Sequence, residues 1–158
     1  MIDPVVRPAR PGDVDTLRTL EAEARAALVA ARGGARWLEE HPAIGPRWPD
    51  ALAGRKVFVA VLDHPGLDVV EAVDVVVGYL VLDLVGEIGR IDQVFVTPDA
   101  RELGFGDALV EAAAEEARSA GAKLLEGQAL PGDRETKNLY ERAGITARLI
   151  TVSRRLDR

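Results

Sequence analysis

The 158-residue chain has no cysteine. Disulfides, thiolate nucleophiles and thiolate-held metals are therefore outside its chemistry. Histidine is scarce: His41 and His64 are the only two, and each is followed by proline. Neither has a second ligand at metal spacing, so both read as loop residues and no metal is expected. No apolar run approaches the ~20 residues that span a bilayer. Met1–Gly12 lacks the apolar core of a signal peptide. The expectation is a cytoplasmic protein with no membrane partner. A basic surplus is missing too: 20 Lys and Arg stand against 26 Asp and Glu, for a net charge of −6. Binding to phosphate backbones needs a cationic face, so nucleic acid is not an expected partner. Long-range attraction by an acidic protein favours a basic small-molecule or protein partner.

What is present suits one soluble domain. Hydrophobic residues make up 47% and charged residues 29%, enough for a single core over 1–158. Val5–Arg7 is a short β-prone start. Asp13 then caps a helix with Val14, Leu17, Leu20, Ala24 and Leu28 on its apolar face and Arg18, Glu21, Glu23 and Arg25 between them. A second short helix is expected over Ala35–Glu40. Ile44–Gly54, with Gly45, Pro46 and Pro49, reads as a loop. Val57–Leu62 is a β-branched strand, and Asp63–Leu67 a turn. The β run Val73–Val85 makes a hairpin through Gly86–Gly89 with Arg90–Val96. A helix from Phe105 to Ala120, a strand Lys123–Ala129, a helix Arg134–Ala143 and a last strand Ala147–Val152 follow. The order β-α-α-β-β-β-α-β-α-β predicts an α+β fold with a mixed, mostly antiparallel central sheet flanked by helices.

The most informative stretch runs from Val94 to Asp107. A strand is followed by Arg101-x-x-Gly104-x-Gly106, and then by a helix. The first amides of a helix lack internal partners and sit at the positive end of its dipole, so a diphosphate can accept from them. Glycines let a phosphate approach the backbone, and the arginine adds charge and donors. An ordinary helix start with two glycines would look similar. A dinucleotide fingerprint fits poorly, because Leu109 replaces its third glycine and the preceding strand belongs to a hairpin.

Val96-x-Pro98 followed by Arg101-x-x-Gly104-x-Gly106 resembles the acetyl-CoA-binding motif of the GNAT N-acetyltransferase superfamily. Leu139-Tyr140-Glu141-Arg142-Ala143-Gly144-Ile145 is similar to the family's second motif, and the element order matches over nearly the whole chain. The resemblance implies acetyl or short acyl transfer from acetyl-CoA to a primary amine of a small molecule or protein. It implies that the backbone of Val94, Phe95 and Val96 pairs with pantetheine, beside a bulge where the fourth strand splays from the fifth. Arg101, Glu102, Leu103, Gly104, Phe105, Gly106 and Asp107 would hold the pyrophosphate. Tyr140 matches the family's general acid. The position where relatives often carry a glutamate base matches Arg90 here, which leaves Asp92 and Glu87 as the nearest candidate bases, or water alone. Asp133 stands where relatives often have asparagine and is also suited to capping a helix. Arg134, Lys137 or Asn138 would touch the cofactor or simply face solvent. Trp37 and Trp48 lie in the segment that shapes the acceptor pocket in the family, although packing on the sheet is the commoner use of tryptophan. A homodimer enters through the resemblance alone. With Arg90 at the usual base position, a non-catalytic acyl-CoA-binding regulatory module is the alternative function.

Overall fold

A computed structural model describes residues 3–62 and 74–157. Five strands form one sheet in sequence order: β1 (Val5–Pro8), β2 (Lys56–Leu62), β3 (Val75–Val85), β4 (Ile88–Val96) and β5 (Leu124–Gly127). The first four pair antiparallel, and β5 joins β4 in parallel. The β4–β5 crossover is α4 (Phe105–Ser119), as a parallel pair requires. The helices α1 (Val14–Leu28), α2 (Gly34–Glu40) and α3 (Trp48–Gly54) precede β2, and α5 (Arg134–Arg142) follows β5.

The sheet separates two apolar layers. One holds Leu80, Leu82 and Ile91 against Phe105, Leu109, Val110, Ala113 and Ala117 of α4 and Leu139 and Tyr140 of α5. The other holds Val57, Val59, Tyr79 and Val81 against Leu17 and Leu20 of α1 and Trp48 and Ala51 of α3. The alternation of side chains along β3 assigns neighbours to opposite layers. Close approach of α4 is possible because Gly89 has no side chain: a Cβ there would stand 2.7 Å from that of Ala117.

Four expectations need correction. Ile44–Gly54 is not a loop but a 3₁₀ turn, Gly45–Arg47, running into α3. Pro46 and Pro49 both fall in first turns, where a missing N–H costs nothing. Glu21 is buried, not part of the polar face of α1. Asp13 does not cap α1 through its side chain; it accepts from Arg7 at 2.8 and 3.0 Å and from the Arg10 amide at 2.7 Å. Finally, Ala147–Val152 forms no strand. The expected turn Asp63–Leu67 and the start of the β run at Val73 lie outside the described residues.

Candidate active site

Parallel pairing of β4 with β5 runs from Ile88↔Leu124 to Ile91↔Gly127 and stops there. The β3–β4 register jumps at the same place: Leu82 pairs with Ile91 and Val81 with Gln93. Asp92 is therefore the extra residue of a β-bulge, a device that bends a strand and ends pairing. Among the described residues, no strand pairs the β5-side edge of β4 from Asp92 to Val96. Val94, Phe95 and Val96 thus border a split in the sheet.

Tyr140 closes one side of the split. A Cβ on Gly127 would lie 2.6 Å from its Oη and 2.5 Å from its Cζ, so the glycine at the end of β5 makes the space for this ring. The phenol is nearly buried. Burial first, then the carboxylates of Asp133 and Asp92, holds it above the ordinary tyrosine range. It remains a protonated donor at neutral pH. The two tyrosines differ in how their hydroxyls are used. That of Tyr79 donates to Gln93 Oε1 at 2.7 Å, whereas among the described residues nothing hydrogen-bonds that of Tyr140.

Asp92 lies at the bulge, 2.9 Å from Arg55 Nη2, which also bonds Asp83 at 2.6 Å. Glu87 lies at the opposite end of the β4–β5 ladder. It pairs with Lys123 at 3.1 Å, and its side chain is 67% exposed. Only Asp92 of the two candidate carboxylates is thus at the split. Arg90 is exposed.

The glycine segment follows β4 directly. Its backbone turns left-handed twice, at Glu102 (φ 65°) and at Gly104 (φ 88°). The first costs a non-glycine residue about 1–2 kcal/mol. Among the described residues, nothing accepts from the backbone N–H groups of residues 102–107. The amides of Phe105, Gly106 and Asp107 are the unpaired first turn of α4. The side chains behave differently from the sequence expectation. Arg101 turns back to β4, donating to Val96 O at 3.1 Å with its guanidinium 5.7 Å from the Phe95 ring centroid. A Cβ on Gly106 would meet Leu139 at 3.2 Å, so this glycine makes room for α5 as well as leaving its amide bare. Asp107 pairs with Arg142 at 3.1 Å, and Leu103 is exposed. Asn138 is exposed, as are Arg134 and Lys137. Asp133 caps α5, accepting from the Thr136 amide at 3.2 Å.

On the acceptor side, Trp48 is fully buried and meets Tyr79 edge-on at 5.6 Å, so it is core and lines no pocket. Trp37 stacks on His41 at 3.5 Å. Sequence reasoning missed two groups. Gly127 was legible only as a glycine inside a strand. Glu21, four residues after Leu17 and three before Ala24, sits on the apolar stripe; its carboxylate accepts from the amides of Ile44 (2.9 Å) and Gly45 (2.8 Å) and from Gln93 Nε2 (2.9 Å). It thereby joins α1 to β4 one residue past the bulge.

Residues 22–145 match the model of the acetyltransferase (GNAT) family. The chain belongs to the GNAT acetyltransferase family. Solved GNAT-like structures share the fold across nearly the whole length. An aminoglycoside N-acetyltransferase crystallised with CoA is 17% identical with a TM-score of 0.64, the match covering 98% of this chain and 97% of that one. A Bacillus halodurans protein is 16% identical with a TM-score of 0.72, covering 96% and 99%. A ribosomal-protein-alanine N-acetyltransferase from Brucella melitensis is 18% identical with a TM-score of 0.63, covering 98% and 100%. No curated protein matches the sequence significantly. GNAT membership brings acetyl-CoA-dependent acetyl transfer, with acetyl-CoA as co-substrate. Among the described residues, no three metal-ligating side chains cluster, and no helix is long and apolar enough to cross a membrane.

Proposed function

We propose that the chain is an N-acetyltransferase acting on a primary amine, with the reaction centred on the split between β4 and β5. The observation that carries this is the free Tyr140 hydroxyl lodged against Gly127, where the two strands part. The unpaired amides at 102–107 fit a diphosphate, since they present donors with no Cβ at Gly104 or Gly106. The open edge of Val94, Phe95 and Val96 fits the amide-bearing pantetheine arm, which would pair there as a strand would. Acetyl-CoA supplies a thioester whose C–S bond breaks as the amine forms a C–N bond. Tyr140 gives its proton to the leaving sulfur. Asp92, directly or through water, takes the proton lost by the amine. Backbone amides at the bulge, that of Val94 or a neighbour, would hold the oxyanion.

The aminoglycoside and ribosomal-protein enzymes among the similar structures act on amines of different size. Both a small molecule and a protein terminus therefore stand as acceptor classes here. One observation favours a second reading, a non-catalytic acyl-CoA-binding module: Asp92 is tied to Arg55, which draws its charge away from a substrate. Calorimetric titration with acetyl-CoA, followed by an amine screen read by thiol release, separates the two. Tyr140→Phe is expected to bind acetyl-CoA as the parent does and to lose about 100-fold or more in turnover. Absence of acetyl-CoA binding by the folded parent would sink the proposal. Binding without turnover on any amine would leave the module reading.

A further inference from the structure

Glu21 sits on α1 with 2% of its surface exposed, and among the described residues no lysine, arginine or histidine forms an ion pair with it. A buried carboxylate is costly unless an opposite charge or full hydrogen bonding supports it. Here three donors face it. Oε2 accepts from the Ile44 amide at 2.9 Å and from Gln93 Nε2 at 2.9 Å, and Oε1 accepts from the Gly45 amide at 2.8 Å. An ionised carboxylate only accepts, so Gln93 has to turn its NH2 group toward Glu21 and its Oε1 toward Tyr79. Tyr79 then donates to that oxygen, at 2.7 Å. The Tyr79 side chain is buried. Burial first, then the carboxylates of Glu21 and Asp92, keeps its phenol in the donor form. The bonds run in one consistent direction and fix both ends of the Gln93 amide.

The place of Gln93 gives this clamp its importance. It is the first residue past the bulged Asp92 and pairs with Val81 of β3. From this point β4 is bonded on one side only among the described residues, because its ladder with β5 ends at Ile91↔Gly127. Val94, Phe95 and Val96 follow with apolar side chains that can form no hydrogen bond. Gln93 therefore supplies the side-chain hydrogen bonds of this half-supported stretch. Stapling α1 does not need them. Leu17 and Leu20 are buried between α1 and the sheet, and the bonds from the Ile44 and Gly45 amides hold the segment after α2 to the same helix. The bond to Gln93 is the one that reaches the strand bordering the split.

We propose that Glu21 is a positioning residue for acetyl transfer: by holding Gln93 it fixes the backbone at the bulge, and so aims the amide of Val94 or a neighbour at the carbonyl oxygen of the thioester. This rests on the acetyltransferase reading of the split. Glu21 acts through Gln93 and not on the substrate, since its oxygens are taken by three donors. An oxyanion donor works only within hydrogen-bond distance of the developing charge, and a displacement of about 1 Å costs about 100-fold in rate. The cradle at 102–107 is no part of this chain of bonds, so affinity for acetyl-CoA is expected to be independent of it.

Gln93→Met cuts the tie to β4 and leaves both amide bonds to Glu21 in place, while Glu21→Gln sets an NH2 group against donors. Each variant and the double variant are compared with the parent by acetyl-CoA calorimetry, thermal melting and kcat. Turnover is read by thiol release on a panel of aminoglycosides and alanine-terminated peptides. Each single variant should bind acetyl-CoA as the parent does and lose about tenfold or more in kcat. The double variant should lose no more than the worse single one, since both changes cut the same link. A lower melting temperature with kcat unchanged makes the network merely structural and overturns the proposal. Losses that multiply in the double variant, or an affinity for acetyl-CoA that falls with kcat, overturn it too. If Glu21→Gln does not fold, Gln93→Met decides by the same readings; if neither folds, the network is a folding element and the proposal fails. A parent that turns over no amine removes this role together with the acetyltransferase reading, whereas an active parent with fully active variants removes this role alone.

Discussion

Gly127 and Tyr140 show how much a single absent side chain can carry. The ring of Tyr140 occupies the space where a Cβ of residue 127 would be, so Gly127→Ala must push the phenol off the split. Overpacking of this kind costs about 1–3 kcal/mol. The expected outcome is a lower melting temperature together with a fall in turnover, while affinity for acetyl-CoA stays near that of the parent. A loss of stability with full turnover would show that the hydroxyl is not held where it acts. The phenol also sets a pH expectation. Its pKa lies above the usual value of ~10, because burial and the nearby carboxylates disfavour the phenolate. The acid form therefore persists through the alkaline range, and kcat should show no descending limb from this group up to about pH 10. A descending limb near pH 8 that vanishes in Tyr140→Phe would contradict this.

At the scale of elements, the two glycines of the cradle separate into different jobs. Gly104 holds φ 88°, a conformation that penalises any side chain, whereas Gly106 is limited by Leu139 of α5. Gly104→Ala is expected to weaken acetyl-CoA binding with α5 still docked. Gly106→Val is expected to lose helix packing as well, by about 1–3 kcal/mol, so its binding defect cannot be read alone. Thermal melts of both variants beside their titrations decide this. The joint between β1 and α1 depends on Asp13, whose burial is opposed and outweighed by the hydrogen bonds from Arg7 and the Arg10 amide, leaving its pKa below the usual value. A depressed carboxylate pKa stabilises the fold above the unfolded value of ~3.9, and the gain is lost as pH falls through the folded value. Asp13→Asn should therefore cost about 1–3 kcal/mol at neutral pH, with the difference from the parent shrinking below about pH 4 in denaturant melts.

For the whole molecule, the sequence was readable where periodicity and punctuation act locally. The five strands of the sheet and the glycine segment followed from alternation and from Gly104 and Gly106, whereas Tyr140 was singled out only by the resemblance of Leu139–Ile145 to the family's second motif. What was not readable depends on partners distant in the chain. Pro46 and Pro49 signal a break as strongly in a loop as in a first helical turn, so α3 was hidden. Glu21 looked solvated because nothing nearby in sequence shows that the amides of Ile44 and Gly45 and the Gln93 side chain converge on it. Arg101 carried the right charge, but its direction, back to Val96 O, is set by the fold. The strand expected at Ala147–Val152 has strand composition and no partner among the described residues, a conflict that propensity alone does not reveal.

The bulge in β4 has an arithmetic consequence. Cross-strand pairs resume on both sides of Asp92, with Ile91 opposite Leu82 and Gln93 opposite Val81, so the strand holds one residue more than its ladder consumes. Removing that residue altogether would let Ile91 and Gln93 become neighbours with every other cross-strand partner of β4 kept, at the loss of the Arg55–Asp92 ion pair. Asp92 deletion should therefore yield a folded protein whose melting temperature equals or exceeds the parent's, with acetyl transfer abolished. A deletion variant that fails to fold would mean that the strand depends on the bulge for more than its chemistry. The split, in this view, is the work of one inserted residue in β4, separate from the register shift between β2 and β3 at Ala60/Val61.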